Sequence, residues 1–286
     1  DSYTSASSLK KYLGYDNTAF IDSMKTLGFY TPQNSTSNYA YTPLSIASLL
    51  NADYLPDFNS KITNPVLKDI IAMAMINNSF VLRKLSSYGY EIKNLSLFRL
   101  NGKEKFYTYD FLALPDYTLF SNKLFCKTVF FWYHINGKIM YLPYVINDMV
   151  DSTIAISKEA RDHPAFIYAH FPIPHGPFCF NKDGSLIGNA PENHQTAYVE
   201  QLQYTNKLIY KMVNNIQENS NKKSIILILG DHGSRFFSSD PKTASENYST
   251  LCSFCFPKED YSSLYDSISH VNIFRTVLNE YFEEKL

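Results

Sequence analysis

The strongest apolar run in the chain lies at 225–229, Ile-Ile-Leu-Ile-Leu, and it stops at Gly230 before Asp231-His232-Gly233-Ser234-Arg235. An unbroken aliphatic run of this kind predicts a strand buried on both faces, as in parallel sheets. Residues 165–171, Ala-Phe-Ile-Tyr-Ala-His-Phe, predict a second buried strand. Between them, 193–219 places Tyr198, Leu202, Leu208, Ile209 and Met212 on one helical face. Strand, helix, strand in that order predicts a βαβ unit. Residues 251–256, Leu-Cys-Ser-Phe-Cys-Phe, predict a further strand with Cys252 and Cys255 on opposite faces.

Helical patterns cover 5–13, 18–27 after the Asp16-Asn17 cap signal, 42–50 with Pro43 in the first turn, 62–85, 144–161 and 271–282. From 90 to 141 short aromatic and aliphatic runs alternate with turn residues and define no clear element. The pattern describes an α/β fold, a single domain over 1–286 with 86–143 as a candidate lateral subregion.

Composition narrows the classes of function. A formal charge of −1 with dispersed Lys and Arg gives no footprint for nucleic acid, so none is expected as a partner. The 23 Tyr and 21 Phe, many set among Asn and Ser, fit an extracytoplasmic, envelope-facing protein. Four cysteines make no disulfide framework in a chain this long, and the lone Cys-x-x-Cys reads as core packing rather than a zinc knuckle. No apolar run approaches the ~20 residues that span a bilayer, and no signal peptide is visible. The chain opens at Asp1 without an initiator Met, which reads as a processed or excised piece with an anchor upstream.

Asp231 and His232 stand at the carboxyl end of a predicted strand, where α/β sheets bind ligands. A carboxylate oxygen and an imidazole nitrogen suit Zn²⁺ or Mn²⁺, and the flanking Gly230 and Gly233 permit a sharp exit and close backbone approach. The plainer alternative is a capping aspartate and an exposed loop histidine. Thr42 begins a predicted helix, where N–H groups and the dipole favour an anion such as phosphate. From position alone it also suits a helix N-cap, and one threonine can do both. His170 and His175 follow the second strand in a loop stiffened by prolines. Arg235 suits bidentate contact with an anionic oxygen or a surface ion pair.

In order and spacing, Asp1, Thr42, the His170 to His175-Gly-Pro segment and Asp231-His232-Gly233 resemble the catalytic domain of the alkaline phosphatase and sulfatase superfamily. The similarity is to its sulfatase-like envelope branch, related to lipoteichoic acid synthases and phosphoethanolamine transferases. The resemblance implies an α/β/α sandwich with a mostly parallel central sheet. It implies one divalent metal, Zn or Mn, held by Asp1, Thr42, Asp231 and His232, with a second site not evident because His270 fits no motif. It further implies Thr42 as nucleophile, His175 as its catalytic partner, and His170, His175 and Arg235 as substrate-binding residues. The expected activity is metal-dependent phosphotransfer or phosphodiester cleavage on envelope phospholipid head groups or phosphorylated glycans, periplasmic or membrane-associated. A catalytically silent binding module and a sulfuric ester hydrolase are the alternatives. Two departures stand out. The nucleophile region lacks Cys-x-Pro-x-Arg, which argues against formylglycine chemistry. The apolar strand that the family places ahead of Asp1 is missing from the sequence, so Asp1 is expected to lose a rigid mount.

Overall fold

The computed structural model describes residues 1–55, 58, 62–107, 129–188, 192–237 and 242–286, with only the helical backbone described over 129–141. Helices form where patterned apolar residues meet capping side chains. Ser5 accepts from Ser8 N to open α1 (Ala6–Leu13), and Gly14 at φ 65° closes it. Helix α2 (Thr18–Thr26) follows, then α3 (Thr42–Asn51) with Pro43 in its first turn. Asn64 caps α4 (Pro65–Asn77), and α5 (Phe80–Ser87) continues after a break.

The break qualifies the membrane reading. By length and composition Pro65–Ser87, 23 residues with an 18-residue window of mean hydropathy 1.3, is apolar enough to cross a bilayer. Lys68-Asp69, Asn77-Asn78 and Arg83-Lys84 interrupt it, so it is not a continuous apolar run. In the fold it is two helices, and Ala72, Ile76, Val81, Leu82 and Leu85 pack into the core.

Strand β1 (Glu91–Leu95) pairs in parallel with β2 (Ala165–Ala169), Glu91 opposite Ala165 and Leu95 opposite Ala169. The crossover between them carries α6 (Val129–Lys158). The βαβ unit is therefore β1–α6–β2 rather than the one read over 165–229, since a buried run does not name its ladder partner. After α7 (His194–Asn219), β3 (Ile226–Leu229) pairs antiparallel with β4 (Cys252–Cys255), Leu229 opposite Cys252. Helix α8 (His270–Phe282) ends the fold. Of the 86–143 region, β1 and Ile92, Phe98 and Leu100 belong to the main core, and 108–128 lie outside the described residues.

Alternation along β3 and β4 divides the interior into two layers. Leu227, Leu229, Cys252 and Phe254 join α3, α4, α5 and α8 on one side. Ile226, Ile228 and Cys255 join α1, α2 and α7 on the other, where Tyr198, Leu202 and Ile209 are buried. Helices thus cover both faces of the strand layer, the expected α/β/α arrangement. Cys252 and Cys255 occupy opposite layers and are free thiols, as their spacing predicts.

Phe254 is fully buried and meets Phe256 edge to face at 6.2 Å. Phe254→Ala is expected to cost about 3–5 kcal/mol, read as a lower urea midpoint with an unchanged slope.

Candidate active site

The end of β3 is held on both sides. A Cβ at Gly230 would collide with Tyr3 O and Thr250 Oγ1, and one at Gly233 with the carbonyls of Glu246 and Ser249. Between them Asp231 and His232 are buried. Asp231 Oδ1 accepts from Ser2 N at 2.7 Å and from His232 N at 2.9 Å, while Oδ2 accepts no hydrogen bond and lies 3.5 Å from His232 Nε2. Burial acts to raise the Asp231 carboxyl, but the adjoining histidines and the Ser2 hydrogen bond hold it below the usual carboxylate range. His232 Nδ1 must donate to Gly233 O at 2.8 Å, because a carbonyl only accepts. Burial lowers the His232 pKa, which leaves Nε2 as a lone pair.

Asp1 reaches this corner on a firmly held segment. Ser2 takes a left-handed φ of 58°, a strain of roughly 1 kcal/mol for a residue with a Cβ, and so turns its N–H onto Asp231. Tyr198 OH donates to Ser2 O at 2.8 Å, and Thr4 bridges Thr250. Tyr3, Asn17 and Asn206 close a buried ring in which Tyr3 donates to Asn206, Asn206 to Asn17 at 2.9 Å, and Asn17 back to Tyr3 at 3.0 Å. The Asp1 backbone nitrogen donates to Phe171 O at 2.9 Å and Ile173 O at 3.1 Å. The expected loss of a rigid mount does not occur, because directional polar contacts hold these residues.

Thr42 is the first residue of α3, and Tyr41 occupies the N-cap position without a side-chain cap bond. The N-cap reading of Thr42 is therefore replaced: its Oγ1 lies 3.3 Å from His232 Nε2. Arg235 is exposed, donates through Nη2 to His232 Nε2 at 3.2 Å, and lies 5.9 Å from the Tyr41 ring centre.

Asp1 joins the two strand ends. Its carboxylate oxygens lie 3.7 Å from His170 Nε2 and 4.0 Å from His232 Nε2. His170 is buried against Phe98 and Tyr168, and burial pushes its pKa down to about 3, so it is neutral near pH 7. His175 is half-buried, donates through Nδ1 to Gly176 O, and is lowered chiefly by burial. Its loop is clamped by Gln201 of α7, whose Oε1 accepts from Cys179 N at 2.8 Å and Phe180 N at 3.3 Å. The Gln201 amide donates to His175 O at 2.9 Å and Pro174 O at 3.3 Å. Asn38 caps α8 by accepting from Val271 N at 2.8 Å.

One donor atom from each of Asp1, Asp231 and His232 lies within 4.8 Å of the other two. A buried carboxylate oxygen without a partner is costly unless something positive satisfies it. Two carboxylates and a neutral imidazole whose outer nitrogen is fixed by a carbonyl form a donor set that fits a divalent cation.

The model of the family described as Sulfatase matches residues 6–278. The chain belongs to the sulfatase family. Comparison with curated protein sequences returned no match. Among solved structures, this sulfatase-family chain is similar to the C-terminal periplasmic domain of EptC from Escherichia coli, with TM-score 0.58, 11% identity, and coverage of 97% of this chain and 78% of that one. It is similar to the soluble domain of lipooligosaccharide phosphoethanolamine transferase A from Neisseria meningitidis, with TM-score 0.56, 14% identity, and coverage of 97% and 84%. A Bacteroides thetaiotaomicron structure from work on glycosaminoglycan metabolism gives TM-score 0.57 at 12% identity, with coverage of 90% and 64%. At these identities the likeness is one of fold.

Within the sulfatase fold, the predicted residues Asp1, Thr42, His170, Asp231, His232 and Arg235 meet at one corner, and His175 lies within electrostatic range of Asp231 and Arg235. Ser2, Ser45 and Gln201 were missed. Gln201 had a legible signal: it follows Tyr198 by three positions and so places an amide in the buried stripe of α7. Gln201→Leu strands two N–H groups and two carbonyls. We expect a loss of at least about 2 kcal/mol and faster hydrogen exchange confined to 170–180. Unchanged exchange there would refute the clamp.

Proposed function

We propose that this chain is a metal-dependent phosphotransferase or phosphodiesterase of envelope phospholipid head groups or phosphorylated glycans, with Thr42 as nucleophile. The observation that carries the reading is the 3.3 Å approach of Thr42 Oγ1 to His232 Nε2, at the corner where Asp231 Oδ2 is buried without a hydrogen bond. The E. coli EptC domain is known in complex with Zn, which supports Zn or Mn here. The N. meningitidis transferase is an integral membrane protein, of which this chain covers 52%; this supports an extracytoplasmic domain, spanning 1–286, with its anchor elsewhere.

Asp1, Asp231 and His232, with Thr42 beside them, would hold a divalent cation, which when bound would lower the pKa of a hydroxyl and stabilise charge on a phosphoryl oxygen. Thr42 Oγ1, its proton released to solvent beforehand, attacks phosphorus as the alkoxide, forming a new P–O bond as the bond to the leaving oxygen breaks, and gives a phosphothreonine and, once the leaving oxygen is protonated, a free alcohol. The first turn of α3, uncapped by any side chain, offers N–H groups to a non-bridging oxygen. Arg235, exposed beside His232, binds a second such oxygen. His175 gives a proton to the leaving oxygen and then takes one from the water or acceptor hydroxyl that releases the phosphoryl group. His170 stays neutral and faces Asp1.

Thr42→Ala should retain the fold and cut turnover of a bis-aryl phosphate by roughly 10⁴-fold or more; full activity would remove Thr42 from the mechanism. Elemental analysis should find stoichiometric metal that Asp231→Ala loses. His175→Gln should slow esters with alkyl leaving groups by about 10²-fold while sparing aryl esters, whose leaving oxygen needs no proton. Preference for aryl sulfate over aryl phosphate and bis-aryl phosphate would move the reading to a sulfuric ester hydrolase. Anion binding without turnover of any ester would leave a binding module.

A further inference from the structure

His270, the first residue of α8, is fully buried and belongs to none of the motifs above. Its placement is firm, since its N–H donates to Thr36 O at 3.0 Å and the next N–H donates to Asn38. Its Nδ1 lies 3.3 Å from Ser45 Oγ. Ser45 is itself fully buried, sits on α3 one turn after Thr42, and donates its hydroxyl proton to the carbonyl oxygen of Asp231.

The proton count orients this chain of contacts. A serine hydroxyl has one proton, and the Asp231 carbonyl can only accept it. Ser45 Oγ must therefore accept from the ring, so His270 donates from Nδ1. Its Nε2 is left buried with no hydrogen bond. Burying an imidazole with an unpaired nitrogen is costly, and a leucine would fill similar space without that cost. What leucine lacks is a donor for Ser45.

We propose that His270 is a positioning residue: through Ser45 it ties the Asp231 backbone to the first turn of α3, setting the spacing between Thr42 and the Asp231-His232 corner. The inference rests on the reading of the site given under Proposed function. The relay joins three elements, the start of α8, the first turn of α3 and the end of β3. Ser45 is the shared member, because it lies on the same helix as Thr42 and holds the same residue that supplies the unpaired carboxylate oxygen.

The test uses the whole chain and four variants: Ser45→Ala, His270→Leu, His270→Asn and the Ser45→Ala/His270→Leu double. Asparagine carries an amide nitrogen near the position of Nδ1, so His270→Asn keeps the donor while removing the ring. Three quantities are measured on each variant: affinity for Zn²⁺ or Mn²⁺ alone by calorimetric titration, kcat and KM on a bis-aryl phosphate, and the thermal midpoint. Ser45→Ala and His270→Leu should each weaken cation affinity and lower kcat by about 10-fold with little change in KM, as loss of an outer-shell partner does. The double variant should be no worse than the singles, and His270→Asn should stay within about 3-fold of wild type.

Wild-type kcat and cation affinity in Ser45→Ala would overturn the relay while leaving the proposed function standing. The same holds if His270→Asn falls as far as His270→Leu, or if the two single losses multiply. A wild-type chain that neither binds the cation nor turns over an ester would overturn the site reading, and the relay with it. Ser45→Ala removes a single oxygen, so it keeps the test decisive if His270→Leu fails to fold.

Discussion

The site depends on one unequal carboxylate. Asp231 has one oxygen saturated by two backbone N–H groups and the other buried with none. The saturated oxygen fixes the rotation of the side chain. The free oxygen makes it chemically demanding, because a buried negative charge with an open lone pair is stable only beside something positive. Everything around it serves one of these two conditions: the left-handed Ser2 that aims a donor, the imidazole locked by its outer nitrogen, and the second carboxylate brought in from Asp1.

That convergence is produced by layering rather than by chain proximity. The strand layer lies between two sets of helices, so residues at strand ends emerge where α3 begins and where the segment holding Asp1 crosses. Asp1, Thr42, His170 and Asp231 come from distant parts of the chain and need separate anchors. The anchors differ in kind. Thr42 is placed by a helix start, Asp231 by two glycines, His175 by a glutamine clamp, and Asp1 by the Tyr3–Asn17–Asn206 ring. Polar contacts carry most of this placement, and apolar packing supplies the rigid frame on which they act.

Much of this was legible in the sequence, for reasons that particular residues make plain. The aliphatic run before Asp231 announced both a strand and its end, and most helices fell within a few residues of their predicted bounds, since their apolar stripes and caps are local signals. Strand β1, Glu-Ile-Lys-Asn-Leu, was not legible because three of its five residues are polar and its identity comes from pairing with β2. Ladder partners were misread for the same reason. In the site, residues that offer side-chain chemistry were found. Those that act by holding backbone were not: Gln201 was open to detection only through its place in the buried stripe of α7, and nothing in the identity of Ser2 and Ser45 distinguishes them from ordinary surface polar residues until their burial is known.

The glycines flanking Asp231-His232 carry a consequence for how such a site changes over time. Each glycine is required by backbone atoms of another segment, so the two intervening positions are fixed in space whatever side chains they bear. Ligand identity at those positions can drift one substitution at a time, retuning the preferred ion while the scaffold stays intact. Insertion or deletion of a single residue there has no such route, since it would drive a Cβ into the neighbouring carbonyls. The geometry is inherited as a unit, and the chemistry is the adjustable part.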